Sequence, residues 1–351
     1  MNYIKSKSFF VCLLLLISTF TFAQNLTLPR ASQYAEVSQR VGISNVTITY
    51  HSPGAKGRNI WGGIIQYGSI WRAGANENTT ITFSHDATIE GQSVPAGTYG
   101  LFMLPVDKQN VRVILSQFSQ SWGTVSPTEA ETTAIVDVKT KEIAAEEWLN
   151  YSFKDRGGNE VTAVLQWADL EVPFTIGFDV ASIVLENAKA ELKGPAGFSW
   201  RGYSQAANFA LQNDVELEQA MAWIDQSINM SKGFTNLQVK AGLLAKAGQE
   251  DAAKALMKEA IPMANGFQLN QYGYQLLNGG DTKGAIEVFQ MNVKNNAEHR
   301  FIWGFTDSLG EAYLKDGNKK LALKYYKQAR TLAPENQFAY LDGVIADLES
   351  K

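Results

Sequence analysis

The sequence predicts a multidomain β + α chain: an N-terminal antiparallel β-sandwich or jelly-roll-like domain, then a C-terminal α-solenoid of helical repeats. Three observations predict it. From about Tyr34 to Val180 the apolar residues follow the period of strands, with no helical pattern between them. After Asp179 the period becomes helical, and from Tyr203 the helices recur at a nearly constant interval, as in a stacked array.

The chain opens with an export signal, assigned to residues 1–23. Lys5 and Lys7 precede the apolar run Phe9 to Ile17, and Thr21-Phe22-Ala23 places small residues where signal peptidase inspects them. Cleavage after Ala23 leaves Gln24 first, and the expected destination is the periplasm. The apolar run is shorter than the ~20 residues of a membrane-spanning helix, and no later run approaches that length. Cys12, the single cysteine, leaves with the signal, so the mature chain has no disulfide, thiol nucleophile or Cys-ligated zinc. Loss of Lys5 and Lys7 takes the formal net charge from -4 to -6, which argues against nucleic acid as a partner.

Residues 24–180 form the expected β-sandwich. "SNVTITY", "NTTITFS", "GTYGLFMLP", "VRVILSQ", "AIVDVKT", "WLNYSF", "VTAVLQW" and "VPFTIGFDV" read as eight or nine short strands, with turns at "EGQ", "DKQN" and "DRGGN". Residues 181–202 are a connecting helix and linker, in which "ASIVLENAKAEL" places Val184, Ala188 and Leu192 on one face and Gly194-Pro195 stops the helix.

Residues 203–351 carry the repeats. Alignment of "QAMAWIDQSI", "DAAKALMKEA", "GAIEVFQMNV" and "LALKYYKQAR" superposes Ala220, Ala253, Ala285 and Ala322, and likewise Ile224, Met257, Phe289 and Tyr326. Upstream stand Asn208, Ala241, Gly273 and Gly310. Small residues at one level let paired helices approach, and the large residue is expected to fill the gap between successive pairs. The last copy, with Leu309-Gly310, Tyr313, Ala322, Tyr326, Ala329 and Pro334, resembles the tetratricopeptide repeat (TPR), with Thr306 in place of its usual Trp. The final "NQFAYLDGVIADLES" reads as a capping helix.

The first domain carries a second resemblance. "YHSPGAKGRNIWGG", "YGSIWRAGANENTTITF" and "VPAGTYGLFMLP" are similar to the family called domain of unknown function 2911, found in secreted bacterial proteins, over roughly residues 30 to 180. The resemblance implies a secreted β domain, often followed by helical repeats, and implies no established activity.

Candidate residues concentrate in Ser52 to Phe83. Arg58 and Arg72 offer guanidinium forks suited to a carboxylate, phosphate or sugar hydroxyl, or else brace backbone carbonyls with Asn76 and Glu77. Trp61 and Trp71 are a stacking platform or a plug at the sandwich edge. His51 and His85, with Glu77, are the residues from which a metal site would have to be built, but they lack a close-spaced pair, and no metal or cofactor is expected. Nucleophile elbows, metalloprotease helices and phosphate loops are absent from the sequence. A non-enzymatic scaffold is therefore the leading reading; the rival is a cell-envelope enzyme acting on a polar or glycan substrate at the Arg58, Trp71, Arg72, Glu77 corner. In the repeats, Gln205, Gln238, Asn270 and Asp307 stand one per repeat on the first helix of each pair. Such a ladder suits the backbone of an extended protein or peptide partner, and its lack of Lys or Arg disfavours a clamp for a terminal carboxylate.

Overall fold

A computed structural model describes residues 28–120 and 125–350; the expected signal lies outside the described residues. The chain divides into two compact units between Val180 and Ala181.

The first unit has ten strands among the described residues: β1 (Gln33–Val41), β2 (Ser44–Ser52), β3 (Thr80–Phe83), β4 (Ala87–Ile89), β5 (Gln92–Val94), β6 (Gly97–Pro105), β7 (Asn110–Ser116), β8 (Thr132–Lys139), β9 (Lys141–Lys154) and β10 (Glu160–Gly177). All named pairings are antiparallel, in a six-stranded sheet ordered β1-β2-β3-β6-β7-β8 and a four-stranded sheet ordered β5-β4-β10-β9. Ile48, Ile81, Leu101 and Leu115 from the first sheet and Leu165, Phe174 and Ile176 from the second are essentially without exposed surface, as alternation between a core face and an outer face requires. The three expected turns fall between β4 and β5, β6 and β7, and β9 and β10. At the first, Glu90 and Gly91 both take positive φ, the mirror-image turn that suits a two-residue hairpin.

One expectation is corrected here. "VTAVLQW" and "VPFTIGFDV" are a single strand, β10. Bulges around Ala168, which has φ 51°, bend it between Gln166 and Leu170, so the polar "ADLE" is carried within the strand rather than separating two strands. Glu171 is 4% exposed, and its carboxylate accepts hydrogen bonds from Lys154 Nζ at 2.5 Å and Gln166 Nε2 at 2.8 Å. A paired and hydrogen-bonded charge is tolerated at that depth.

The second unit starts from α1 (Val180–Glu191) and continues as hairpins α2 (Trp200–Asn213) with α3 (Leu217–Met230), α4 (Phe234–Lys246) with α5 (Glu250–Ala260), α6 (Gly266–Asn278) with α7 (Thr282–Asn295), and α8 (Ile302–Lys315) with α9 (Lys319–Leu332), closed by α10 (Phe338–Ser350). Side-chain caps start several helices: Asn265, Asp281 and Asn318 accept the N–H of Gln268, Gly284 and Leu321. Thr306 is fully buried, and its hydroxyl donates to Ile302 O at 2.8 Å, so the small residue in place of Trp is satisfied inside its own helix.

Ala220, Ala253, Ala285 and Ala322 are all buried. The large residues do not simply fill gaps between pairs, as the sequence suggested. In the third and fourth hairpins, the large residue of the second helix packs on the small residue of the first. A Cβ on Gly273 would stand 2.5 Å from the Phe289 ring, and one on Gly310 would stand 3.3 Å from Tyr326. The four combinations are graded in size: Asn208 with Ile224, Ala241 with Met257, Gly273 with Phe289, Gly310 with Tyr326. Where the first helix gives up volume, the second supplies it, which is the condition for close packing at constant helix separation.

Candidate functional site

The segment from Ser52 to β3 is an irregular corner tied down by backbone bonds. Ala55 N–H donates to Glu147 O at 2.7 Å, Lys56 N–H donates to the Glu147 carboxylate at 2.9 Å, and Trp71 exchanges two 2.8 Å backbone bonds with Met103. Lys56 and Gly57 both have positive φ, which turns the chain so that the Arg58 guanidinium folds back on its own loop. Its Nη2 donates to Gly54 O at 2.7 Å and its Nε to Ala55 O at 3.0 Å. Trp61 is buried, with Nε1 donating to Trp167 O at 3.0 Å, and Trp71 Nε1 donates to Gly74 O at 2.9 Å. The Trp71 ring meets Trp61 edge-on at 6.0 Å and stacks on Trp167 at 5.9 Å and 26°. Asn76 takes φ 57° and donates to Ser32 O, and Thr79 donates to Ala73 O.

This corner walls a cavity of about 850 Å³ lined by Arg58, Ile64, Ile65, Trp71, Arg72 and Trp167, among others. The six expected residues therefore divide. Arg58, Trp71 and Arg72 line the cavity; Trp61 and Asn76 hold its surroundings; Glu77 lies in a neighbouring recess with Arg30, Tyr34 and His51. Arg30 Nη1 donates to both Glu77 oxygens, at 2.5 and 2.6 Å, and His51 Nε2 stands 3.2 Å from Glu77 Oε2. Burial by itself raises the Glu77 carboxyl; the Arg30 hydrogen bonds, its own backbone N–H and the charges of His51 and Arg30 outweigh it and hold the group below its usual range. Burial also lowers the Arg72 guanidinium, against the opposing pull of the Glu77 charge, and it stays cationic at any physiological pH. The corner anticipated for catalysis is thus split, with Glu77 among those outside the cavity-lining residues.

His51 and His85 do not come together. His51 pairs with Tyr34 at one end of β2, whereas Phe83, two residues before His85, pairs with Val46 towards the other. At about 3.3 Å per residue they are separated by roughly 20 Å. His85 Nδ1 instead lies 3.0 Å from Ser84 Oγ, and no group of three His, Cys, Asp or Glu among the described residues is placed to hold a metal. His299 lies between α7 and α8, packed against Phe267 and Phe305.

In the second unit, a cleft of about 430 Å³ runs over the first helices of three hairpins, lined by Gln205, Asn208, Gln212, Gln238, Gln271 and Gln275 among others, with no charged lining residue among those described. Gln238 Nε2 donates to Gln275 Oε1 at 2.7 Å and Gln268 Nε2 to Thr235 Oγ1 at 3.1 Å. Of the predicted ladder, Gln205 and Gln238 line this cleft. Asn270 and Asp307 do not; each is half-buried, with an Oδ1 that is buried and has no hydrogen-bond partner. Gln271 takes the place assigned to Asn270. The small-residue register advances 32 positions from Ala241 to Gly273, but the cleft-facing register advances 33 from Gln238 to Gln271, and one residue is about 100° of helix rotation. The signal was present in "FQLNQYGYQ", where Gln268, Gln271 and Gln275 recur at helical spacing.

Adjoining the cleft and sharing Gln238, Gly242 and Gln275 with it is a more apolar pocket of about 540 Å³ against Ala241, Ala245, Met257, Tyr272 and Leu276. The apolar core of the unit is divided into three buried clusters, one from Leu185 to Leu243, a small one of Phe234, Leu237 and Ala260, and one from Leu277 onward; the pocket's Met257 and Tyr272 pack against the second and its Leu276 against the third.

Burial lifts the Asp307 carboxyl to about 6, with the Glu311 charge adding to the effect. The folded state therefore binds this proton more tightly than the unfolded chain. The wild type is penalised above about pH 6 and recovers stability as pH falls towards the ordinary aspartate value of 3.8. Asp307→Asn is expected to raise unfolding stability at neutral pH by on the order of 1–2 kcal/mol, after allowance for solvent screening of a half-buried side chain. Urea titrations at pH 7.5 and pH 4 check it: the advantage should shrink at the lower pH, and an advantage that persists there contradicts burial as the cause.

Together these features define an antiparallel β-sandwich unit with a tryptophan- and arginine-walled cavity, followed by a TPR-like α-solenoid. Residues 32–176 match the model of the family described as "Protein of unknown function (DUF2911)". No curated protein matches the chain significantly. Solved structures similar to its helical region include YrrB, described as a TPR protein with an unusual peptide-binding site (16% identity, TM-score 0.28, covering 46% of this chain and 81% of that one). PilF of Pseudomonas aeruginosa is also similar (16% identity, TM-score 0.32, covering 44% and 69%), as is MamA (16% identity, TM-score 0.30, covering 44% and 83%). No helix among the described residues is long and apolar enough to cross a membrane.

Proposed function

We propose that this is an exported, periplasmic scaffold that captures an extended segment of a partner protein in the cleft of its helical repeats. The carrying observation is the cleft itself: carboxamides from three successive first helices line one surface and open onto an apolar pocket. Each carboxamide both donates and accepts, so the set matches peptide backbone without reading its sequence. The apolar pocket takes one bulky side chain and sets the register. Export rests on the N-terminal pattern around Lys5, Lys7 and Ala23; mass spectrometry of the cell-fractionated protein should find Gln24 first, in the periplasmic fraction.

The binding test is panning of a displayed random-peptide library on the full chain. Enriched peptides should share one bulky apolar residue in otherwise variable surroundings. Gln238→Ala with Gln271→Ala should weaken a selected peptide by about tenfold, as expected for losing two net hydrogen bonds of about 1 kcal/mol or slightly less each. Undiminished affinity in the double variant removes the cleft as the site.

A further inference from the structure

The repeats do not account for the cavity of the β unit. Its lining includes two guanidinium groups, Arg58 and Arg72, and no carboxylate among the described residues. This charge balance departs from that of a chain whose formal net charge is negative. Of the carboxylates of the corner, Glu77 is engaged by Arg30 and His51 in the adjoining recess, and Glu147 accepts the Lys56 backbone N–H. The remaining walls are mixed: Pro53, Ile64, Ile65, Ile70, Trp71 and Trp167 give them flat or apolar surface, and Ser32, Gln66, Ser69 and Ser126 add neutral polar groups. They are also held in place. Two carbonyls fix Arg58, and Trp71 is fixed by its bond to Gly74, its backbone pairing with Met103 and ring contacts on two sides. A volume of about 850 Å³ lies within the range of small-molecule sites. Rigid walls reduce the ordering cost of binding.

We infer that this cavity binds a small organic anion, a carboxylate carried on a ring with an apolar face, with the carboxylate at the arginines and the ring along Trp71. The ring is aromatic or a sugar, and both carry the same recognition chemistry: planar or apolar stacking beside a bidentate anion contact. Arg58 already donates to two carbonyls and contributes chiefly its charge. Arg72, half-buried further along the same loop, lines the cavity as well and adds a second cationic fork to its wall. The site is independent of the peptide cleft, so failure of either reading leaves the other standing.

The test uses the full chain and four probes, 1-naphthoate and its neutral amide, glucuronate and glucose, measured by calorimetry. One of the two carboxylates should bind, and its uncharged counterpart should bind far more weakly. Binding by naphthoate identifies an aromatic ligand class; binding by glucuronate identifies a sugar acid. Arg72→Gln should weaken the bound carboxylate by at least about tenfold, as expected for a charged hydrogen bond, with Arg72→Lys intermediate. Gln238→Ala with Gln271→Ala should leave it unchanged. Should Arg72→Gln fail to fold, the indole N–H resonances of the wild type decide: perturbation by the carboxylate centred on Trp71 and Trp167 supports the site. Equal binding of acid and amide, no binding of either acid, or perturbation only at other tryptophans overturns it.

Discussion

Gly273→Ala should destabilise the second unit by about 3 kcal/mol, the upper end of the overpacking range, whereas Gly310→Ala should be neutral or stabilising. Both glycines occupy the same level of their hairpins, and both sit inside helices, where alanine is favoured over glycine by about 1 kcal/mol. The difference lies in what a methyl group meets. At Gly273 it would lie 2.5 Å from the edge of the Phe289 ring, which has no exposed surface and is wedged against Tyr274 at 5.2 Å between ring centres. That ring cannot retreat, so α6 and α7 must part. At Gly310 the nearest atoms of Tyr326 are 3.3 Å away, and a shift of a few tenths of an ångström suffices. The graded combinations predict the rescue. Gly273→Ala with Phe289→Met recreates what the preceding hairpin uses, Ala241 with Met257, and should recover most of the loss. Urea unfolding of the three variants closes the double-mutant cycle, and an additive result would mean that the two positions are not coupled.

How legible these features were depends on how far along the chain the contacting residues lie. Strands such as Gly97–Pro105 show in the sequence because a sandwich strand carries its two faces as alternation. The repeats show because each hairpin touches its neighbours, and the same contacts recur every 32 to 37 residues. The cavity was only half visible. Arg58, Trp71 and Arg72 are close in sequence, but Trp167, which stacks on Trp71, comes from β10, and Arg30, which draws Glu77 away, precedes β1. Strand pairing brings those residues together, and no local spacing encodes it. The continuous β10 was hidden for a related reason: a polar stretch ending in Glu171 reads as a break between two strands until the partners of that glutamate, Lys154 and Gln166, are seen beside it. The ladder failed at Asn270 because the packing register and the cleft register, which coincide in the first two hairpins, separate by one residue in the third.

Ala245→Leu should abolish capture of a selected peptide, by about a hundredfold, while leaving the fold intact. Ala245 lines the apolar pocket from α4 and is half-buried, so a larger side chain grows into open space rather than into packed atoms. Leucine is nearly as good a helix former as alanine, and covering Met257 and Tyr272 adds apolar burial, so the thermal midpoint should hold or rise. The peptide's anchor then has nowhere to go, and a buried anchor of this kind is worth about 3 kcal/mol, or about a hundredfold in affinity. Met257→Phe is the less suitable filler: Phe289 is accommodated by a glycine, and the corresponding residue here is Ala241, whose methyl group would meet the ring. A stable variant that still binds the peptide would show that the divided core between the second and third hairpins is a packing feature only. A stable variant that has lost binding, set beside the weaker loss from Gln238→Ala with Gln271→Ala, would assign affinity mainly to the apolar pocket and backbone alignment to the carboxamides.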